Sequence, residues 1–303
     1  MMAPTYKIAV IQLHPEPMQI ESNYCKAARF IKDAAAKGAQ LAVLPEYHLT
    51  NWIPNHPQAS DIFSQWEIYL NKYRALAKEQ SICIVPGTIV ERHEDPATKE
   101  QQLLNATYFI DNKGEILGRY QKKNLWHPER PYLTSSTHEP HEVIETPLGP
   151  VGLLICWDLA FPEAFRELIL AGAKIIIIPT FWALSDCSPY GLAVNPRSEA
   201  LFLESTIAAR TFENTCAVVF VNAGGRVGSS KLNYAGLSRV AVPFLGALGD
   251  ETKDSCEEGM SVVDLDMRHV EEAEANYKVR ADLAREDWHY VYPRGEKTGR
   301  TKL

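Results

Sequence analysis

The sequence contains no Cys-x-x-Cys pair. That removes zinc ribbons and thioredoxin-type redox sites, both of which need two closely spaced thiols. Its six cysteines, Cys25, Cys83, Cys156, Cys187, Cys216 and Cys256, are scattered, and several sit inside apolar runs. A chain of 303 residues needs no disulfides to build a core. No apolar run approaches the ~18 residues of a membrane-spanning helix. No basic segment leads into an apolar stretch near Met1, so no secretory leader is expected. Positive charge is scarce: 31 Lys and Arg against 38 Asp and Glu leave a net charge of −7. That argues against nucleic acid or an anionic membrane as a partner. A phosphate-cradling glycine loop is also missing. Gly224-Gly225-Arg226-Val227-Gly228 is neither G-x-G-x-x-G nor followed by Gly-Lys-Ser/Thr, so a nucleotide-binding doubly wound domain lacks its main feature. In His138-Glu139-Pro140-His141-Glu142 the histidines are three apart with a proline between them. A zinc-binding helix needs them four apart and unbroken. No metal and no cofactor are expected. The expected setting is a reducing, soluble, cytoplasmic one. The final Thr301-Lys302-Leu303 differs in one residue from the peroxisomal Ser-Lys-Leu address, which makes the peroxisome the alternative.

What is present alternates. Continuously apolar runs at residues 8–13, 41–44, 82–85, 151–156, 175–178 and 217–221 read as strands buried on both faces. Helical periodicity spans 21–37 before Gly38, 61–78 after Ser60, 163–171 between Pro162 and Gly172, and 197–213. Alternation of this kind predicts an α/β fold. Residues 106–112 and 115–121 flank Lys113-Gly114 and predict a hairpin, so the sheets are mixed. Residues 124–141 read as a long loop. With no composition shift and no repeat, residues 1–303 read as a single domain, with a core at about 7–288 and a polar tail at 289–303.

Three strands end abruptly in reactive groups. Leu41-Ala42-Val43-Leu44-Pro45-Glu46 ends in a carboxylate, Tyr120-Gln121-Lys122-Lys123-Asn124-Leu125 in lysines, and Gly152-Leu153-Leu154-Ile155-Cys156-Trp157-Asp158 in a thiol. Sites in α/β proteins assemble at the carboxyl ends of strands. A helix opens after Phe161-Pro162-Glu163, and a thiol just before a helix N-terminus is expected to have a lowered pKa. Taken singly, each residue has a structural reading: a core cysteine, an exposed strand-end acid, a solvated lysine.

Taken together, these segments resemble the nitrilase, or carbon–nitrogen hydrolase, superfamily. Gly38 to Glu46 resembles its first signature, Tyr120 to Leu125 its second, and Gly152 to Glu163 its nucleophile motif. Pro179-Thr180-Phe181-Trp182, residues 209–214 and Gly236-Leu237-Ser238 add further similarity, in the superfamily's order. The resemblance implies a four-layer α-β-β-α sandwich with two mixed sheets. It implies a triad at Glu46, Lys122 and Cys156, a second carboxylate at Glu129, and a small-molecule substrate. It also implies a homodimer or a higher homo-oligomer. The chemistry is coherent. A thiolate attacks the carbon, Glu46 moves the protons, and the Lys122 ammonium with the Trp157 backbone N–H receives the oxyanion. Alternate strand residues face opposite ways, so Lys122 shares a face with Tyr120 and Lys123 does not.

Asp158, two residues after the thiol, is more similar to the amidase and carbamoylase pattern than to nitrilases, which carry Glu there. Hydrolysis of a small linear amide or N-carbamoyl compound is therefore expected. The alternatives are a nitrilase and a catalytically inactive binding protein on the same fold. Trp126 and Trp182 are candidates for lining the pocket. Arg197 is a candidate for holding a substrate carboxylate.

Overall fold

The computed structural model describes residues 3–95, 97–136, 139–228, 233–249 and 256–289. In chain order the first half runs β1 (Thr5–Gln12), α1 (Ile20–Ala36), β2 (Leu41–Val43), α2 (Ala59–Phe63), α3 (Trp66–Gln80), β3 (Cys83–Val85), β4 (Ile89–Glu94), β5 (Gln101–Ile110) and β6 (Ile116–Gln121). The second half runs β7 (Val143–Thr146), β8 (Gly149–Leu153), α4 (Pro162–Leu170), β9 (Ile175–Thr180), α5 (Pro189–Val194), α6 (Ser198–Asn214), β10 (Ala217–Asn222), β11 (Arg239–Val242), β12 (Gly246–Leu248), β13 (Gly259–Asp266), α7 (Arg268–Tyr277) and α8 (Val279–Leu283).

The strands form two mixed sheets. One has the order β13-β1-β2-β3-β5-β4, with β6 paired to β5; the other has the order β12-β11-β10-β9-β8-β7. Side-chain alternation builds the layers. Ile8 and Val10, Leu41 and Val43, and Cys83 and Val85 face the second sheet in one core. Ala9 and Ile11, Ala42 and Leu44, and Ile84 face α1 and α3 in another. The period of two in a strand buried on both faces produces this sorting. On the far side, α4 and α6 cover the second sheet through Phe165, Leu168, Leu203 and Ile207. The result is a helix-sheet-sheet-helix sandwich, an α/β fold.

Two local expectations are corrected. The helix expected over 61–78 is two helices. Ser64 Oγ and Gln65 Nε2 both donate to Asp61 O, at 2.7 and 3.3 Å, and side chains that compete for a backbone carbonyl break the helix there. The strand expected over 151–156 ends at Leu153, and Cys156 starts a 3₁₀ turn. By contrast, α1 stops where Gly38 takes a positive φ of 78°, and the Ala39 N–H returns to Ala34 O at 3.0 Å. The β5–β6 hairpin turns through Asp111, whose Oδ1 accepts from the Lys113 and Glu115 N–H groups at 2.9 and 2.8 Å. His138 and the terminal Thr301-Lys302-Leu303 lie outside the described residues, as does the tail from residue 290. Among the described residues no helix is long and apolar enough to cross a membrane.

One glycine fixes the path of the chain beside Glu46. Gly87 has φ +66°, and a Cβ there would collide with the Pro45 and Leu44 carbonyl oxygens. Next to it, Thr88 Oγ1 accepts from the Tyr47 N–H at 3.0 Å. Gly87→Ala is expected to destabilise the fold by about 1–3 kcal/mol. Urea denaturation checks this, and an unchanged midpoint would show that the backbone relaxes without cost.

Candidate active site

The carboxyl ends of β2, β6 and β8 meet beside the end of β9. Beyond β2 the chain runs through Leu44 and Pro45 to Glu46, whose N–H donates across the sheets to Thr180 O, the last residue of β9, at 3.2 Å. Beyond β6 comes Lys122, whose N–H donates to Asn105 O at 2.9 Å and so extends the hairpin ladder by one pair. Beyond β8 comes Cys156. The structure thus brings the three strand ends together, and Glu129, from a 3₁₀ turn at His127–Glu129, joins them.

Lys122 is 1% exposed and lies between two carboxylates. Its Nζ donates to Glu46 Oε1 and to Glu129 Oε1, each at 2.8 Å. Burial alone would push its pKa down, but Glu129 and Glu46 together hold it well above the usual lysine value. The carboxylates have further donors. Asn105 Nδ2 donates to Glu46 Oε1 at 2.8 Å. The Trp126 N–H donates to Glu129 Oε2 at 2.7 Å. Tyr47 donates its hydroxyl to Glu129 Oε1 and accepts from Asn105 Nδ2, the latter at 2.9 Å. Two carboxylates share one ammonium in this cluster. Burial, opposed by Lys122 and reinforced by the Glu129 charge, raises Glu46 to about 7. His48 is no rival base. It is buried, its pKa is lowered to about 3 by that burial, and its Nε2 pairs with the Tyr73 hydroxyl at 2.7 Å.

Cys156 has φ +47°, a conformation that costs a β-carbon-bearing residue energy and is concentrated at functional turns. Its Sγ lies 4.0 Å from Phe181 O, and it lines the same pocket as Glu46. The lowered thiol pKa expected from a helix N-terminus is corrected. Burial first, then the Glu46 charge, raise this thiol well above its ordinary value, against a smaller opposing pull from Lys122. The helix that was to lower it, α4, begins only at Pro162, and a helix dipole fades within a turn.

Above the thiol lies a pocket of about 140 Å³ whose lining includes Glu46, Glu129, Cys156, Trp126, Trp157 and Trp182. Trp126 and Trp157 meet edge to face at 4.5 Å, and Trp157 and Trp182 lie 5.5 Å apart. Tyr47 stacks on Trp52 at 4.7 Å to form the opposite wall. Arg197 is not in this lining; it is exposed at the N-cap of α6. Lys123 turns away from the site, with Nζ donating to the Ser136 and Glu139 carbonyls. Among the described residues no group of three His, Cys, Asp or Glu side chains could hold a metal ion.

Several participants escaped the sequence reading. Asn105 faces Lys122 across the hairpin, and the signal was the register itself, Ala106 opposite Gln121. Tyr47 adjoins Glu46 in the sequence. In the sequence Asp158 marks only the substrate class. It is fully buried, and it accepts from the Tyr120 hydroxyl and the Ile155 N–H at 2.8 and 2.9 Å, and from Asn124 N and Nδ2 at 3.0 and 2.8 Å. One carboxylate therefore ties the thiol turn to the lysine strand.

The family model for carbon-nitrogen hydrolases matches residues 7–275, and the chain belongs to that family. Among curated relatives, the deaminated glutathione amidase of Mus musculus is 30% identical over 247 residues, covering 78% of this chain and 71% of that one. A nitrilase of Pyrococcus abyssi is 28% identical over 273 residues, covering 86% and 90%. The crystal structure of the C. elegans NitFhit protein superposes with a TM-score of 0.77 at 26% identity. That match covers 94% of this chain and 66% of the other, so the chain spans just under two thirds of that longer protein.

The Asp158 tie carries its own test. In Asp158→Asn the new amide NH₂ faces a site built of donors, so at least one buried donor loses its acceptor. A loss of about 1–3 kcal/mol in chemical denaturation is expected. A loss under about 0.5 kcal/mol, the level of an ordinary surface change, would show that the four donors find other partners.

Proposed function

We propose that the chain hydrolyses the C–N bond of a small linear amide, releasing ammonia, with Cys156 as nucleophile, Glu46 as proton carrier, and Lys122 and the Trp157 backbone N–H as oxyanion donors. The observation that carries this reading is the buried Glu46–Lys122–Glu129 cluster that lines, with the Cys156 thiol, one aromatic-walled pocket.

The steps balance within these groups. The Cys156 proton passes to the Glu46 carboxylate as sulfur attacks the amide carbon. The resting thiol holds its proton firmly, so thiolate forms in step with attack rather than beforehand. Negative charge then leaves sulfur for the carbonyl oxygen, where an ammonium and a backbone N–H stabilise it. Collapse expels the nitrogen, which takes the proton from Glu46 and departs as ammonia, leaving a thioester on Cys156. Water attacks the thioester, gives a proton to Glu46, and the acid is released as the thiol recovers that proton. Glu129 fixes the Lys122 ammonium and, with Tyr47 and Asn105, holds the array in place.

Amidase chemistry is preferred to nitrile hydrolysis on the Asp158 pattern, and amidases and a nitrilase both occur among the relatives. Neutral carbamoyl compounds present the same carbonyl and nitrogen. Carbamoyl amino acids fit less well, because Arg197, the cation considered for their carboxylate, lies outside the described pocket lining.

Ammonia release across amides, carbamoyl amino acids, ureas and nitriles tests the reading. Amides should exceed nitriles of matched shape, and folded Cys156→Ala should release none. Faster turnover of the nitrile would reverse the choice of substrate. Glu46 must be deprotonated to accept the thiol proton, and its pKa is raised, so activity is lost as pH falls. The kcat/KM profile should drop about tenfold per pH unit below about 7 and level off above it. Glu46→Gln should lose roughly 10²–10⁴-fold. An acidic limb centred near the ordinary carboxylate value of 4.5 would assign the base elsewhere.

A further inference from the structure

The far end of the same pocket has a chemistry that the bond-breaking steps do not use. Its walls are aromatic: Trp52, Trp126, Trp157, Trp182, Tyr47 and Phe181. Its charged lining is entirely acidic among the described residues, with Glu46 and Glu129 at the floor and Asp186 at the rim. The nearest ammonium, Lys122, lies beneath and is already shared by the two floor carboxylates. Asp186 closes a 3₁₀ turn, Leu184–Asp186, and its Oδ2 accepts the Ala183 N–H at 2.8 Å. A second acid stands close to it. Glu199, on the first turn of α6, accepts the Trp182 indole N–H at 2.5 Å, near enough for its charge to act on Asp186.

A substrate carboxylate in this pocket would face Glu46 and Glu129 and, at the solvent-exposed rim, Asp186, with no unshared cation in the described lining to receive it. A substrate cation would meet the reverse: aromatic faces that attract positive charge, and two neighbouring carboxylates whose mutual repulsion it relieves. On the reading of this site as an amidase, we infer that its substrates are short amides carrying a positive charge at the end remote from the scissile carbonyl, with Asp186 as the residue that selects them.

Three amides of matched length test this: γ-aminobutyramide, which is cationic, valeramide, which is neutral, and succinamate, which is anionic. The expected order of kcat/KM is cation over neutral over anion, each step at least tenfold, or about 1.4 kcal/mol. In Asp186→Asn the cation-to-neutral ratio should fall at least fivefold. Succinamate as the best substrate, a cation-to-neutral ratio near one, or a ratio unchanged by Asp186→Asn would each overturn the inference. Because the ordering is read on the unaltered protein, it decides the matter even if the variant does not fold. Valeramide hydrolysis without a preference for the cation removes this inference and leaves the amidase reading in place. No ammonia from any of the three with folded protein removes both.

Discussion

The Lys122 ammonium, buried between Glu46 and Glu129, is the contact on which the rest of the site depends. An isolated ion in that position would be costly by several kcal/mol. Two carboxylates at 2.8 Å make it tolerable. They need donors of their own in turn, and Asn105, Tyr47 and the Trp126 N–H supply them. Each donor comes from a different part of the fold: β5, the end of β2, and the loop after β6. Removing one member leaves charge stranded in the interior, so the strand ends are held in mutual register by electrostatics as much as by apolar packing.

The same cluster determines how the chemistry runs. Three acidic groups, counting the thiol, compete around one cation, and the site cannot carry all of them as anions. Glu46 moves up to about 7 and the thiol moves higher still. A protein with a preformed thiolate would need more positive charge at this point than Lys122 supplies. Here the proton leaves sulfur only as negative charge moves onto the substrate oxygen. Asp158 contributes from behind, clamping the turn on which Cys156 sits at positive φ without facing the substrate itself.

Much of this was legible in the sequence, because strand ends announce themselves. An apolar run stopping just before Glu46 or Cys156 marks where a chain leaves a sheet, Lys122 ends the polar second strand of the hairpin, and the alternation of faces separated Lys122 from Lys123. The α/β class followed from buried strands alternating with amphipathic helices, whereas the four layers followed only from the resemblance to the carbon–nitrogen hydrolase superfamily. What was hidden depended on direction and on distant partners. Asn105 was missed because the hairpin strand was expected to begin at Ala106, one residue short of the partner of Lys122. β4 was missed because its outer end, Glu91-Arg92-His93-Glu94, is polar. The break at Ser64-Gln65 depends on two side chains choosing one carbonyl. Residue type suggested Arg197 as a binding cation, but its place at the entry of the helix expected over 197–213 also fitted a surface arginine, and it is an exposed helix cap. The direction of the thiol pKa depended on how many carboxylates surround it, which only the assembled site discloses.

The central claim is that Cys156 carries the acyl group of an amide substrate through a thioester. The most direct test is intact-protein and peptide mass spectrometry of the chain quenched in acid during steady-state turnover. The account predicts a mass increase equal to the acyl group on the peptide containing Cys156, formed as fast as ammonia appears and absent in Cys156→Ala. Steady ammonia release with no acyl group on Cys156, or with the label on Cys25, Cys187 or Cys256, the thiols the fold leaves exposed or partly exposed, would contradict it.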